Sequence, residues 1–186
     1  LLGNGKDGIS VLELGSGNGL LSLCLLALSH GTNWIKDLVV TDLADHLPLV
    51  QKTLDANPNI LSTTSTKVHV LEHDWGNFSE AKQDQTQRTL SFQELVKQGN
   101  YQFDLIVGSD VAYHEDLYDI LIASLLQYSH EKTTILIGVT MNDTKPEFFH
   151  KLRQAGLEYR KFSDHLLDPD FRGRTFGIFL IYRRSS

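Results

Sequence analysis

A single cysteine, Cys24, leaves this chain no partner for an intrachain disulfide, so no disulfide framework holds it together. Cys24 lies inside the apolar run 20–28, and an intracellular home, cytoplasmic with the nucleus also open, is the default expectation. No stretch approaches the roughly 20 apolar residues that cross a bilayer, so no membrane partner is expected. The start, Leu1-Leu2-Gly3-Asn4-Gly5, has neither an initiator Met nor the pattern of a signal peptide, and upstream residues are expected. Basic charge is also short: 17 Lys and Arg face 23 Asp and Glu, a formal net charge of −6. That balance argues against the broad basic surface that supplies most affinity for duplex nucleic acid, whereas a mildly acidic surface suits a basic protein partner.

What is present suffices for one core. At 186 residues, 41% of them hydrophobic, the chain is long enough for one domain and short for two. A single domain over 1–186, monomeric, is the expectation. Residues 9–14 form a short apolar run stopped by Gly15-Ser16-Gly17-Asn18-Gly19, which predicts a buried strand entering a glycine loop. Residues 20–29 are apolar almost all round and too long for an ordinary strand, so a helix packed on a sheet is predicted. A second strand over 38–41 closes at Asp42, and helical spacing runs from 43 to 56 before Asn57-Pro58 stops it.

A third strand over 68–71 leads into Glu72-His73-Asp74-Trp75-Gly76, and the polar stretch 77–102 reads as an insertion with a short helix near 92–97. The pattern then resumes with strand 103–108, helix 117–128, strand 133–139 and a helix over 146–155 ended by Gly156. Such alternation favours a parallel sheet. The last two runs, 157–162 and 176–182, have no helix between them and should pair antiparallel, because parallel neighbours need a longer crossover.

In an open parallel sheet, ligands bind beyond the carboxyl ends of the strands, and the unusual residues of this chain all fall at such ends. They are Gly15 to Gly19, Asp42, Asp74-Trp75 and the stretch from Ser109 to Tyr113. The glycine loop departs from the dinucleotide fingerprint G-x-G-x-x-G, since position 20 is Leu, and no Lys-Ser/Thr follows as in a phosphate-binding loop. What remains is E-x-G-x-G-x-G from Glu13, whose glycines admit a ligand close to the backbone without a pyrophosphate. Asp42 is placed to accept hydrogen bonds from two ribose hydroxyls, and Asp74 with Trp75 could offer an adenine amino group an acceptor and an aromatic wall. His73, His114 and His165 lack ligand spacing and Cys partners, so they read as ordinary loop histidines and no metal is expected. Asp164, Asp168 and Asp170 read as a solvated acidic loop.

Together the glycine loop, Asp42, Asp74-Trp75-Gly76 and Ser109-Asp110-Val111-Ala112-Tyr113 resemble the class I methyltransferases. The D-x-x-Y element and the Trp after the third strand resemble, more narrowly, methyltransferase family 16, the methyltransferase-like protein lysine methyltransferases. The resemblance implies a Rossmann-like α/β fold: a seven-stranded, mostly parallel sheet ordered 3-2-1-4-5-7-6, strand 7 antiparallel, with helices on both faces. It implies S-adenosylmethionine as cofactor, with Glu13, Gly15, Gly17 and Gly19 on the methionine and ribose portions, Asp42 on the ribose, Asp74 and Trp75 on the adenine, and Leu43 and Ser109 also among the cofactor-binding residues. It further implies Asp110 and Tyr113 as the catalytic pair on the acceptor side, and a protein lysine as acceptor. Two other readings stay open: methyl transfer to a small molecule or a nucleic-acid base, and a cofactor-binding scaffold without turnover. The base version is weakened because Asp110-Val111-Ala112-Tyr113 stands where an N-P-P-Y type element would be.

Overall fold

The structure, a computed structural model, describes residues 8–76, 91–99, 102–172 and 175–184. Seven strands, β1 (Ile9–Leu14), β2 (Ile35–Asp42), β3 (Lys67–Glu72), β4 (Leu105–Ser109), β5 (Thr134–Thr140), β6 (Leu157–Lys161) and β7 (Phe176–Arg183), form one sheet. Its order is β3-β2-β1-β4-β5-β7-β6, and β7 is antiparallel to both β5 and β6 while the other pairings are parallel. This is the order that the resemblance implies, and the antiparallel end is the one read from the sequence, where no crossover helix separates the last two runs; two single-turn 3-10 helices, Asp164–Leu166 and Pro169–Phe171, lie there.

Period-two alternation divides the core between the two faces of the sheet. On one face Leu12 and Leu14 of β1, Val39 of β2 and Ile106 of β4 pack under α4 (Phe92–Gly99), α5 (Tyr118–Tyr128) and α6 (Pro146–Gln154). On the other face Val11, Leu38, Val40, Leu105 and Val107 pack under α1 (Leu20–Ser29), α2 (Leu47–Asp55) and α3 (Pro58–Ser62). Burial on both faces explains why the central strands read as unbroken apolar runs.

The boundaries that differ from expectation have local causes. Strand β2 begins at Ile35, ahead of the predicted 38, because the charged pair Lys36-Asp37 interrupts the apolar signal of a strand that the buried Ile35 already belongs to. Helix α2 begins at Leu47 and not at 43: Asp42 takes the amide of Leu43 on its own carboxylate, and the chain turns through 44–46 before Pro48 opens the helix. Pro58, read as a stop, also starts α3 at its first turn. The helix expected in the polar stretch is α4, and it belongs to the core, with Phe92 and Leu95 buried. A reciprocal cap holds it: the Ser91 amide donates to Glu94 Oε2 at 2.9 Å and the Glu94 amide to Ser91 Oγ at 3.2 Å. The remainder of the expected insertion lies outside the described residues.

Helix α1 is less buried than its apolar sequence suggests. Leu23 and Leu26 enter the core, while Cys24 is exposed and Leu28 is 70% exposed. Truncation should separate the two faces of this helix. We expect Leu26→Ala to cost about 2–5 kcal/mol and Leu28→Ala no more than about 0.5 kcal/mol in urea denaturation. Equal losses would contradict this packing.

Candidate active site

The chain runs outward from β1 through β2 to β3 on one side and resumes through β4 and β5 on the other, so the carboxyl ends of β1 and β4 flank a switch point. The glycine loop leaves β1 there. Gly15 and Gly17 have φ of 63° and 57°, a region open to glycine and costly for other residues. They differ in surroundings. A Cβ on Gly15 would lie 2.9 Å from Val111 Cγ1 and 3.0 Å from Trp75 Cζ2, whereas a Cβ on Gly17 would meet nothing within 4 Å among the described residues. Gly15 is therefore demanded by packing, and Gly17 opens onto free space above the loop.

Asp42 holds that loop in place. Its Oδ2 accepts the Gly17 amide at 2.6 Å, and its Oδ1 accepts the Leu43 amide at 2.8 Å and lies 2.8 Å from His46 Nδ1. The hydrogen bond to Asp42, and the charge behind it, raise the pKa of His46 above the ordinary histidine value. His46 is absent from the sequence-predicted set; its spacing four residues beyond Asp42 is the signal that could have found it.

A cleft of about 320 Å³ lies beyond the strand ends. Of the predicted residues, Gly15, Gly17, Asp42, Leu43, Asp74, Trp75, Ser109, Asp110 and Tyr113 line it. Val111, within the stretch already singled out, is joined by Leu117 and Ile120, which the sequence reading did not include, in an apolar wall. His73 also borders the cleft, yet it is a core residue, 1% exposed, with its ring 4.6 Å from that of Phe92 and its Nε2 3.3 Å from Ser124 Oγ. Burial pushes its pKa down to about 4, so the ring is neutral at pH 7; it stands in the loop after β3, as read, but turned into the core and away from solvent.

Glu13 and Gly19 do not line the cleft. Gly19 is the N-cap of α1, with φ of 76°, and a Cβ there would lie 3.1 Å from Val50 Cγ1. Glu13 is 2% exposed beneath the loop and accepts a hydrogen bond from Ser22 Oγ of α1. Burial raises its pKa to about 7, against the opposing pull of the Ser22 bonds.

Asp110 stands where β4 ends, in the left-handed region with φ of 53°, its amide donating to Gly138 O at 2.9 Å. Its Oδ1 accepts from Thr140, both from the amide at 3.0 Å and from Oγ1 at 2.9 Å. Beside the cleft lies a second, more open hollow of about 520 Å³, lined by Asp110, Tyr113, Thr140, Asp143 and Lys145. Asp110 and Tyr113 border both spaces, and Tyr113 is 58% exposed.

The fold is that of the Rossmann-like methyltransferases. Solved structures that share it include the mitomycin 7-O-methyltransferase MmcR, 13% identical with a TM-score of 0.63, covering 95% of this chain and 49% of that one. The Methanococcus jannaschii fibrillarin pre-rRNA processing protein is 14% identical with a TM-score of 0.61, covering 97% and 69%. Residues 2–155 match the model of the family described as lysine methyltransferase, and the chain belongs to that family. Protein N-lysine methyltransferase METTL21A of Danio rerio is 29% identical over 148 residues, 79% of this chain and 57% of that protein. Protein-lysine N-methyltransferase EFM6 of Saccharomyces cerevisiae is 32% identical over 121 residues, 64% of this chain and 44% of that protein. The chain thus spans about half the length of these relatives.

The environment of Glu13 has a measurable consequence. Its folded pKa is raised from 4.5 to about 7, so between those values the folded protein holds a proton that the unfolded chain has released. Its contribution is fully present below pH 4.5 and is lost as pH rises through about 7, a change of about 3 kcal/mol at most. Glu13→Gln, which stays neutral throughout, should remove that loss. Urea denaturation of both proteins at pH 5 and pH 8 should show the Gln variant gaining on the parent at the higher pH. Parallel pH dependence would remove Glu13 as the cause.

Proposed function

We propose that this chain transfers a methyl group from S-adenosylmethionine to a lysine side chain of a protein. The observation that carries the reading is the pair of adjoining spaces that meet at Asp110 and Tyr113: a mostly apolar cleft at the switch point and a more polar, open hollow beside it. Family membership supports it, as do the names of the relatives, both protein-lysine methyltransferases.

The residues of the cleft fit the cofactor. Gly17 leaves a cradle that any side chain would begin to fill, Trp75 offers a ring wall packed over Gly15, and Asp42 offers a carboxylate. That carboxylate already receives three donors of the roughly four it can hold, so a pair of ribose hydroxyls would compete with His46 for Oδ1. Held by these residues, S-adenosylmethionine would supply a methyl group made electrophilic by its sulfonium, with the neutral thioether as leaving group. Asp110 orients the amine at the junction and receives its proton through water, since an ammonium has no lone pair to give. The exposed ring of Tyr113 offers a face to the cationic or partly methylated nitrogen, and Val111, Leu117 and Ile120 keep water from the cleft.

Two substitutions separate binding from transfer. Gly17→Val should abolish cofactor binding in isothermal titration while circular dichroism stays that of the parent, because its side chain would enter open space. Normal binding would make the loop a mere turn. Asp110→Asn keeps the size and one acceptor oxygen but loses the charge, so single-turnover transfer from labelled cofactor to protein in an extract should fall about tenfold or more. Cofactor affinity should change much less. Undiminished transfer would remove Asp110 from the mechanism, and label found only in nucleic acid or small molecules would overturn the protein-lysine reading.

A further inference from the structure

We propose that Thr140 is a positioning residue for methyl transfer: it fixes one oxygen of Asp110 so that the other is presented to the incoming amine. The proposal rests on the role given above to Asp110. Thr140 is the last residue of β5, whereas Asp110 follows β4, and the two strands run parallel with Ser109 beside Gly138. Both donors of Thr140, its amide and its hydroxyl, reach the same atom, Asp110 Oδ1, at 3.0 and 2.9 Å. Among the described residues Oδ2 has no hydrogen bond. One donor would leave the carboxylate free to swing about it; two donors from a single residue fix its plane as well as its direction.

Asp110 needs such a tether. It is exposed and sits in a backbone region that costs a non-glycine residue about 1 kcal/mol, so its neighbours must hold it. The segment after Thr140 is fastened to the D-x-x-Y loop as well. Thr144 Oγ1 donates to Ala112 O at 2.7 Å, and the Lys145 amide donates to Tyr118 Oη at 2.9 Å. Thr144 is 4% exposed and Tyr118 fully buried, so these ties are anchored in the core. The two loops form one rigid wall of the hollow, and Thr140 is the point at which that wall grips the carboxylate. Rigid support of this kind is what transfer requires, because an amine about 1 Å out of line reacts far more slowly.

The test compares Thr140→Val, which keeps the shape and loses the hydroxyl, with Thr140→Ser, which keeps the donor, each alone and combined with Asp110→Asn. The probe is tritiated S-adenosylmethionine with a whole-protein extract, read as single-turnover label in protein, beside titration with S-adenosylhomocysteine. Thr140→Val should slow transfer about fivefold or more with affinity for S-adenosylhomocysteine unchanged, and Thr140→Ser should stay within about twofold of the parent. In the Asp110→Asn background the Val change should add less than about twofold, because the two residues act as one unit. Parental transfer by Thr140→Val, when Asp110→Asn is slow, overturns this proposal and leaves the role of Asp110 standing. So does a Val effect of equal size in both backgrounds, or a Ser variant as slow as Val. Parental transfer by Asp110→Asn overturns the role of Asp110 itself, and this proposal with it.

Discussion

Strand β1 is paired on both edges, to β2 through Leu12 and Val39 and to β4 through Leu12 and Ile106, and both of its faces are buried. A strand so enclosed cannot bend away, and both of its neighbours run beside it in the same direction. The ends of β1, β2 and β4 therefore arrive at one level, and each loop that leaves them starts from a fixed point. The glycine loop, the turn after Asp42 and the D-x-x-Y segment meet because of that shared level, although their sequences lie far apart.

Three carboxylates at this end of the sheet sit in three environments, and their uses follow from the difference. Glu13 is sealed beneath the loop with a single side-chain donor from Ser22, and it carries its proton far above the usual carboxylate range. Asp42, nearly as buried, is surrounded by donors and ties the glycine loop to the end of β2. Asp110 is exposed, gripped on one oxygen and open on the other. The first is closed off from the cleft, the second braces the glycine loop at its edge, and the third opens onto both the cleft and the hollow.

Much of this was legible in the residues because the punctuation is local. Gly15 to Gly19 ends β1, Gly156 ends the sixth helix at φ of 81°, and the stretch between the last two runs carries no long helical pattern for a parallel crossover, so they pair antiparallel. Strand-end acids such as Asp42 and Asp110 show themselves by following apolar runs. Other features depend on partners distant in sequence. The late start of α2 follows from a side chain bonding its neighbour's amide, and α4 hides its core role in a polar stretch whose Phe92 and Leu95 find their contacts on α5 and the sheet. Thr140 is one polar residue at the end of an apolar strand; only a tie across thirty positions reveals what it does. Glu13 reads as part of the ligand loop because its place beneath Ser22 is set by the way α1 folds back.

The one thiol of the chain lies on the outer side of α1, the helix whose first turn carries the glycine loop. Because these 186 residues hold no second cysteine and Cys24 faces solvent, a maleimide fluorophore or nitroxide would attach there to this chain at a single, known position. A probe so placed would ride on the helix that follows the glycine loop, outside the lining of the cleft, and would report ordering of that loop as a spectral change.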